Sequence, residues 1–360
     1  MPGETMTQTA TKTPFQDWMA GVVPPPSPAA IMQLGMAFWG SKALLSAVEL
    51  GLFTALAEDG PQDAAAIGAR FGLHPRGLRD FLDALVALRM LSRDAAGRYG
   101  NTRDTALFLV RGQPGYVGGM LEMANARLYP FWGRLTEALR SGTPQNEARD
   151  GGANPFAAIY ADPAGLDGFL RAMTGVSRPN ATAMAKAFPW ADYASVADIG
   201  CAQGGCLAEI LKAHPHLTGT GFDLPPVRPV FEAFAREQEL ADRMHFAAGD
   251  FFADPMPHAD VLVMGHILHD WDAGEKVALL HKAHAALPEG GVLIVYDAMI
   301  DDARRENAFG LLMSLNMLIE TPGGFDYTGA DCRDWMQDVG FRRTEVRHLQ
   351  GPYSMAIGIK

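Results

Sequence analysis

The chain has 360 residues, enough for two domains, of which 48% are hydrophobic and 20% are charged, as is typical of a well-packed globular protein. Its formal net charge of −11 argues against a protein that wraps nucleic acid or coats an anionic membrane, so we expect a small molecule or a second copy of the chain as partner. Three cysteines are too few for a disulfide framework and lack metal-site spacing. With no N-terminal signal segment and no apolar run approaching ~18 residues, the sequence predicts a cytoplasmic protein.

The N-terminal part of the chain predicts an arm followed by a small, mainly helical domain. Residues 1–27 are rich in Thr, Pro and Gly and are expected to form a flexible arm. Three stretches with helical spacing of apolar residues follow, and after them comes a small hairpin with a turn at Gly97. This order of helix, helix, helix and hairpin predicts a winged helix over residues 28–110.

The third helix of this domain distinguishes DNA binding from protein packing. It starts near Pro75, and its cations Arg76 and Arg79 are offset by Asp80 and Asp83 among many apolar residues. A helix that reads a DNA groove needs a polar outer face and basic surroundings. We therefore expect the domain to pack against protein, most simply in a symmetric homodimer, and not against nucleic acid.

Residues 111–190 predict a helical linker beside a pocket. Met120 and Trp132 belong to a stripe of methionines and aromatic residues, which is compatible with an ordinary core or with a flat apolar pocket. A polar connection over 143–154 separates this stripe from a long helix over 163–188. That helix leads into the segment around which the rest of the chain is organised.

This segment, SVADIGCAQGG at 195–205, predicts a buried strand, a glycine turn and a helix. Such a turn places backbone N–H groups beside a ligand at the end of the strand. Read as G-x-A-x-x-G from Gly200, it suits a dinucleotide; read as D-x-G-x-x-x-G, with Asp198, Gly200 and Gly204, it suits S-adenosylmethionine (SAM). Asp223 ends the next strand, where an acid would bind the ribose hydroxyls of either cofactor.

Strands and helices alternate regularly after the glycine turn. The alternation predicts a doubly wound, Rossmann-like parallel sheet in a catalytic domain over residues 191–360. Two strand-like runs at 341–348 and 353–359, joined by a short turn, predict an antiparallel hairpin at the edge of that sheet.

The stretch VLVMGHILHDW at 261–271 ends a strand in two histidines, His266 and His269. They lie on opposite faces if the strand continues and on one face if the chain has already turned. A histidine at the carboxyl end of a strand faces the crevice of an α/β sheet and is a usable base at neutral pH. Asp297 and Asp326 are expected on neighbouring elements, where either could support the imidazolium. No third metal ligand occurs at a recognisable spacing, so we predict no metal site.

With these residues assembled, residues 30 to 360 resemble the class I SAM-dependent small-molecule O-methyltransferases, a family with an N-terminal winged-helix dimerisation domain. The resemblance rests on four motifs: GFDLPPV at 221–227, GDFF at 249–252, HDW at 269–271 and PGG at 322–324. It implies SAM as the cofactor and S-adenosylhomocysteine (SAH) as its product.

The resemblance also implies three sets of site residues. Those expected to bind the cofactor are Asp198, Gly200, Gly204, Asp223, Leu224, Asp250, Phe251 and Ser177. Those expected to act in catalysis are His269, as general base, with Asp297 and Asp326. Those expected to face the acceptor are Met120, Trp132, Met173, His266, Met317 and Thr321.

The sequence departs from the family pattern at several positions. The second and third glycines of the usual D-x-G-G-G-x-G motif are Cys201 and Ala202, and a lysine frequent in plant members before the HDW motif is Gly265. Asp297 and Asp326 stand where the family commonly has acidic residues, and aspartate in place of glutamate shortens the reach to the histidine by one methylene. The sequence therefore leaves open which carboxylate is the partner of the base.

The implied reaction is a single displacement in which His269 removes the proton of a hydroxyl group and the oxygen takes the methyl group. The aromatic and methionine residues favour a flat aromatic hydroxyl compound as acceptor, although methylation at nitrogen or carbon stays open. Two alternatives remain: a SAM-binding member of the same fold that catalyses a different step, and a winged-helix DNA-binding regulator.

Overall fold

The computed structural model describes residues 26–113, 115–147, 149, 160 and 163–360. Except for Pro26 and Ser27, the predicted N-terminal arm lies outside the described residues. Half of the predicted polar connection over 143–154, residues 148 and 150–154, also lies outside them. The domain boundaries near residues 110 and 190 stay predictions.

The N-terminal helices and hairpin occur in the predicted order. Gly51, with a φ of 73°, breaks the first long helical stretch in the left-handed conformation that glycine adopts most easily. Gln62 forms an isolated bridge with Tyr99 in the hairpin, which ties the helices to the small sheet. The bounds are Ala29–Gly35 (α1), Ala37–Glu49 (α2), Leu52–Asp59 (α3), Ala64–Phe71 (α4), Pro75–Ala87 (α5), Leu91–Arg93 (β1) and Tyr99–Asn101 (β2).

The exposed apolar surface of the N-terminal domain lies on other helices than the one that the sequence predicts. The apolar side of α5 was expected to face a partner, but Leu82 and Leu85 are fully buried in the domain's own core. The exposed apolar side chains lie instead mainly on α1 and α2, where Leu34 is 80% and Trp39 is 64% exposed. The periodicity of α5 is as compatible with an internal core as with an interface, and only packing separates the two.

In the described part of the connection between the small domain and the sheet, five helices occur. They are Arg103–Phe108 (α6), Gly118–Met123 (α7), Tyr129–Trp132 (α8), Leu135–Ser141 (α9) and Pro163–Ala187 (α10). A π-helical turn, Ala124–Leu128, joins α7 to α8. Helix α10 packs against α7 and against the first helix after the glycine turn, so it lies between the two halves of the chain.

The predicted doubly wound sheet with a terminal hairpin is confirmed. Seven strands occur in the order β5-β4-β3-β6-β7-β9-β8; β3 to β7 are parallel, and β9 runs antiparallel to both β7 and β8. The chain reverses direction of winding between β3 and β6, which opens a crevice at the carboxyl ends of these strands. The bounds are Ser195–Ile199 (β3), Thr218–Asp223 (β4), Met244–Ala248 (β5), Val261–Gly265 (β6), Val292–Asp297 (β7), Arg343–Gln350 (β8) and Tyr353–Ile359 (β9).

Helices cover both faces of the sheet, so its central strands are apolar throughout. In β6, Val261 and Val263 join the core on one face, and Leu262 and Met264 join the core on the other. The helices are Gly205–Ala213 (α11), Arg228–Glu237 (α12), Ala273–Ala286 (α13), Ala308–Glu320 (α14) and Gly329–Val339 (α15).

Within the described part of the chain, no single helix has the length and apolar character needed to cross a membrane. The bent pair formed by Ala29–Glu49 and Leu52–Asp59, with 54° between its halves, passes that test by length and composition alone.

Candidate active site

A cavity of about 740 Å³ opens over the carboxyl ends of the parallel strands, a volume within the range of small-molecule sites. Its floor is formed by the ends of β3, β4, β6 and β7, and its roof by residues of α7, α8, α10 and α14. The π-helical turn contributes Arg127 and Leu128 to the lining. Every acceptor-facing and cofactor-binding residue expected from sequence lines this cavity except Gly204.

Three carboxylates that follow β3, β4 and β5 form what we call the acidic wall: Asp198, Asp223 and Asp250. One oxygen of Asp223 accepts the backbone N–H of Ala202 at 2.9 Å; the other accepts that of Leu224 at 2.8 Å and the hydroxyl of Tyr160 at 3.2 Å. These bonds hold the glycine turn against the end of β4. Tyr160 was not expected from the sequence, because it is an isolated tyrosine outside any motif.

The glycines of the turn allow close packing against neighbouring side chains as well as the close approach of a ligand. Gly200 has a φ of 72°, and a Cβ atom there would lie 2.3 Å from the side chain of Ile267. Gly204 has a φ of 90°, and a Cβ atom there would point at Met244 and Phe231, away from the cavity. Gly204 is required by the left-handed turn and by close packing below it, and its contact with the cofactor stays a prediction.

Among the described residues, no cationic side chain lowers the pKa of Asp198 or Asp223. Burial, together with the neighbouring Asp223, raises the pKa of Asp198 to about 8. Burial also raises the pKa of Asp223 to about 6, although the backbone N–H groups of Ala202 and Leu224 act in the opposite direction. Buried carboxylates favour a cationic ligand and oppose the pyrophosphate of a dinucleotide. Of the two cofactors that the glycine turn allowed, this wall fits SAM.

Two histidines and two carboxylates form a second group, the histidine wall: His266, His269, Asp297 and Asp326. A 3₁₀ turn, Leu268–Asp270, follows β6 directly, so the chain has already turned and both imidazoles line the cavity. His266 and His269 therefore lie on the same face, which their spacing in the sequence left open.

The histidine wall pairs each imidazole with a buried carboxylate. The Nδ1 atom of His269 lies 3.3 Å from Oδ1 of Asp326 and 3.9 Å from Oδ1 of Asp297. The same oxygen of Asp297 lies 3.6 Å from Nδ1 of His266. Asp326 is thus the nearer partner of His269, and Asp297 lies between the two rings.

The two imidazoles have opposite proton affinities. Burial by itself would lower the pKa of His269, but the carboxylates of Asp297, Asp270 and Asp326 raise it to about 10. For His266, burial outweighs the attraction of Asp297 and lowers the pKa to about 4. At neutral pH the ligand-free cavity therefore holds one imidazolium and one neutral imidazole.

A fully buried lysine lies behind the histidine wall. Lys276 of α13 donates a hydrogen bond to the backbone carbonyl of Trp271, and its Nζ atom lies 3.5 Å from the ring centroid of Phe325. Burial lowers the pKa of this ammonium to about 8, against the attraction of the nearby aspartates. No sequence pattern marks this residue, because a lysine in the first turns of a helix usually reaches solvent.

The remaining lining is mostly apolar and forms what we call the acceptor wall. Trp132 donates its indole N–H to Oδ1 of Asn316 at 2.8 Å, which fixes the ring at the cavity surface. The hydroxyl of Thr321 donates to the carbonyl of Met317 and accepts the N–H of Gly324, so it orients the PGG loop. The members of the acceptor wall are Met120, Trp132, Met173, Asn316, Met317 and Thr321.

Gly265 stands where plant members of the family often have a lysine, and the packing of a neighbouring side chain explains the difference. A Cβ atom at this position would lie 2.0 Å from the ring of Tyr296, so no larger residue fits while that tyrosine is present. Tyr296 is fully buried and fills the space beneath His266.

One cluster in the described part of the chain has the spacing of metal ligands. The donor atoms of His266, His269 and Asp297 all lie within 4.8 Å of one another. The sequence predicts no metal here, and that prediction stays untested.

Comparison with protein families identifies the chain. An O-methyltransferase domain model matches residues 132–342, more than half of the chain, and an O-methyltransferase dimerisation domain model matches residues 32–111. The chain belongs to the O-methyltransferase family. The predicted family membership is thereby confirmed, and with it a dimerisation domain in the N-terminal part of this enzyme.

Individual relatives agree with this membership. The O-methyltransferase is 46% identical to the tetracenomycin polyketide synthesis 8-O-methyl transferase TcmO of Streptomyces glaucescens over 92% of this chain and 97% of that protein. It is 37% identical to the N,N-dimethyltransferase OxyT of Streptomyces rimosus over 89% of this chain and 92% of that protein. The crystal structure of human N-acetylserotonin methyltransferase in complex with SAM matches with a TM-score of 0.87 at 28% identity, over 94% and 98% of the two chains.

The cofactor of this O-methyltransferase is SAM. The acidic wall fits SAM because the sulfonium and the ammonium of SAM supply positive charge to the buried carboxylates. A dinucleotide does not supply this charge. Asp223 is suited to ribose hydroxyls, since a carboxylate accepts hydrogen bonds only, while Asp250 and Phe251 at the next strand end would border the adenine. The enzyme is a SAM-dependent O-methyltransferase.

Proposed function

We propose that this O-methyltransferase methylates a phenolic hydroxyl of a flat, polycyclic aromatic acceptor, with His269 as the general base. The observation that carries the proposal is the placement of the His269 imidazole on the cavity surface with its Nδ1 atom 3.3 Å from the buried Asp326. The methionines and Trp132 of the acceptor wall suit a planar ring system. TcmO, a relative at 46% identity, carries a name that assigns it to an aromatic-type polyketide pathway as an O-methyltransferase.

Each residue of the histidine wall would have a distinct task. Asp326 accepts the Nδ1–H of His269, which leaves Nε2 to take the proton of the acceptor hydroxyl. Asp297 stabilises the imidazolium that forms. SAM supplies the methyl group on a positively charged sulfonium.

The proton affinity of His269 depends on what occupies the cavity. In the ligand-free enzyme its pKa of about 10 means that the ring already carries a proton and cannot act as a base. A positive charge close to the ring lowers this pKa by repulsion and frees Nε2 near neutral pH. The base would therefore be active in the cofactor complex and inactive without it.

The test is a direct assay. Purified enzyme is incubated with SAM and a panel of naphthols, hydroxyanthraquinones and hydroxytetracenes, and formation of SAH and of an O-methyl ether is followed by mass spectrometry. We expect turnover with at least one polycyclic phenol. SAM binding without methylation of any phenol in the panel would contradict the proposal.

Methylation of an amine is the second candidate, favoured by the 37% identity to an N,N-dimethyltransferase. A neutral amine attacks with its free lone pair, so it needs no base before the displacement. Pairs of acceptors that differ only in carrying OH or NH₂ at one ring carbon distinguish O-methylation from N-methylation. If the amine is the natural acceptor, His269→Ala should slow its methylation far less than that of the phenol.

We further propose that the enzyme acts as a cytoplasmic homodimer on small molecules and not on nucleic acid. Exposed apolar side chains on α1 and α2 provide a face for a second copy, including Leu34 and Trp39. All three cysteines are buried and unpaired, as suits a reducing compartment. Light scattering of Leu34→Glu/Trp39→Glu should give a monomer, and a dimer in that variant would exclude this face.

A further inference from the structure

His266 is held in a backbone conformation that few side chains adopt. Its φ is 57°, in the left-handed region, at a cost of order 1 kcal/mol for a residue other than glycine. Its backbone N–H donates to the carbonyl of Tyr296 at 3.2 Å, which anchors the turn to the end of β7. The conformation aims the imidazole into the cavity from the end of β6.

Packing fixes the plane of this ring. Tyr296 and Tyr353 contact it edge to face, with centroid distances of 5.2 and 5.4 Å and interplanar angles of 83° and 90°. The side chain is only 13% exposed. A ring held on two sides presents its nitrogen atoms in fixed directions.

The surroundings select one tautomer. Nδ1 of His266 lies 3.6 Å from Oδ1 of Asp297, and the ionised form of this carboxylate favours the tautomer with its proton on Nδ1. Burial keeps the ring neutral at pH 7, since the pKa of His266 is lowered to about 4. Nε2 therefore carries a bare lone pair, and among the described residues it has no hydrogen-bond partner.

The lone pair lies next to the reacting position. The ring centroids of His266 and His269 are 5.8 Å apart, and both Nδ1 atoms face the same oxygen of Asp297. A group bound at Nε2 of His266 would thus belong to the same part of the acceptor as the hydroxyl at His269. A buried acceptor atom left without a donor carries a cost that a suitable ligand removes.

We propose that His266 is a specificity-determining residue, whose Nε2 atom accepts a hydrogen bond from a second hydroxyl group close to the one that is methylated. This inference rests on the proposed function. A hydrogen bond to His266 favours dihydroxylated aromatic rings over monophenols. It also favours them over rings whose second oxygen is a methoxy or carbonyl oxygen, because these oxygens have no proton to donate.

The test compares acceptor pairs in wild type and in two variants. The probes are 1,3- and 1,8-dihydroxynaphthalene, their monomethyl ethers and 1-naphthol. His266→Phe keeps the aromatic packing and removes the lone pair. His266→Asn tolerates the left-handed conformation and retains an acceptor oxygen. SAH titration of each variant checks that the cofactor site is folded.

In the wild type, kcat/KM for the better dihydroxynaphthalene should exceed that for its monomethyl ether and for 1-naphthol by ~10–100-fold. His266→Phe should reduce this ratio to at most about 2, the statistical factor that applies when both hydroxyls are equivalent, as in the 1,8-isomer, and His266→Asn should retain part of it. Dissociation constants of the same probes with the SAH-saturated protein should follow the same order, so the inference is tested even if no probe is methylated.

An unchanged ratio in His266→Phe, or equal binding of diols and monoethers by the wild type, would overturn the inference. Loss of the ratio on addition of EDTA would also overturn it, because a metal at His266, His269 and Asp297 would then hold the diol. If the diols bind selectively but no phenol is methylated, the proposed function fails and the role of His266 in selection stands.

Discussion

Both walls of the cavity bury carboxylates, and they differ in what neutralises them. In the acidic wall, Asp223 accepts backbone N–H groups and a tyrosine hydroxyl, and burial raises the pKa values of Asp198 and Asp223 to about 8 and about 6. In the histidine wall, Asp297 and Asp326 face an imidazole within 4 Å, and the buried ammonium of Lys276 lies nearby. Among the described residues, the carboxylates of the first wall gain a cation only from a ligand, whereas those of the second already face an imidazolium and a buried ammonium.

The helices behind the two walls begin differently. Helix α11 starts at Gly204 without a side-chain cap, which leaves its first N–H groups directed towards the cavity side of the turn. Helices α13 and α15 each start with a capping box, formed by Asp272 with Glu275 and by Thr328 with Asp331. The acidic wall is built to receive a ligand, and the histidine wall is built to stay fixed while protons move.

The largest effect is expected from removing the base of the histidine wall. His269→Ala should lower kcat at pH 7 by ~10²–10⁴-fold while SAM affinity stays nearly unchanged. The loss should shrink towards pH 10, because the phenol, with a pKa of ~10, then ionises without help. Stopped assays over pH 6–10 measure this, with His281→Ala on the exposed side of α13 as the control. A parallel loss of SAM binding and turnover would remove His269 from its assigned role.

The matching change in the acidic wall is Asp223→Asn. It removes a charged acceptor but keeps the shape, so SAM affinity should fall by ~10–100-fold while kcat at saturating SAM changes little. Calorimetric titration measures the dissociation constant. Asp242→Asn, in an exposed turn before β5, is the control. If kcat fell more than affinity, the division of tasks between the two walls would be wrong.

Lys276→Met tests whether the histidine wall depends on its buried cation. The variant keeps the length of the side chain but removes the donor to the Trp271 carbonyl and the positive charge near the aspartates. We expect the free energy of unfolding to fall by about 1–3 kcal/mol, measured by urea denaturation. Lys186→Met, at an exposed position of α10, should change it far less. Equal stability of the two variants would mean that Lys276 contributes packing only.

The last expected effect is the pH dependence of SAM binding. The raised pKa values of Asp198 and Asp223 mean that these groups hold protons at pH 6 that a cationic ligand must displace. SAM affinity should therefore rise from pH 6 to pH 8, by up to ~tenfold per unit, with release of protons on binding. SAH lacks the sulfonium charge and should show a weaker rise. Titrations in buffers of different ionisation enthalpy measure the protons, and parallel pH profiles for SAM and SAH would contradict the interpretation.

The sequence by itself determined the order of elements and the positions at the ends of strands. A strand, a glycine turn and a helix are fixed by local residue types, and parallel strands bring their carboxyl ends together, so Asp198, Asp223, His269 and Asp297 could be assigned to one crevice. The doubly wound sheet followed from the same local patterns, whereas the family membership and SAM were implied by the resemblance that four motifs carry.

Only the tertiary structure decided the pairings. Asp326 is 57 residues from His269, and its position depends on how the loop after α14 folds back onto the HDW turn. The burial of Lys276, the contact of Tyr160 with Asp223 and the inward packing of α5 also arise from distant parts of the chain. Periodicity and motifs report what a segment can form, whereas distances of a few ångströms between distant side chains are set by packing of the whole chain.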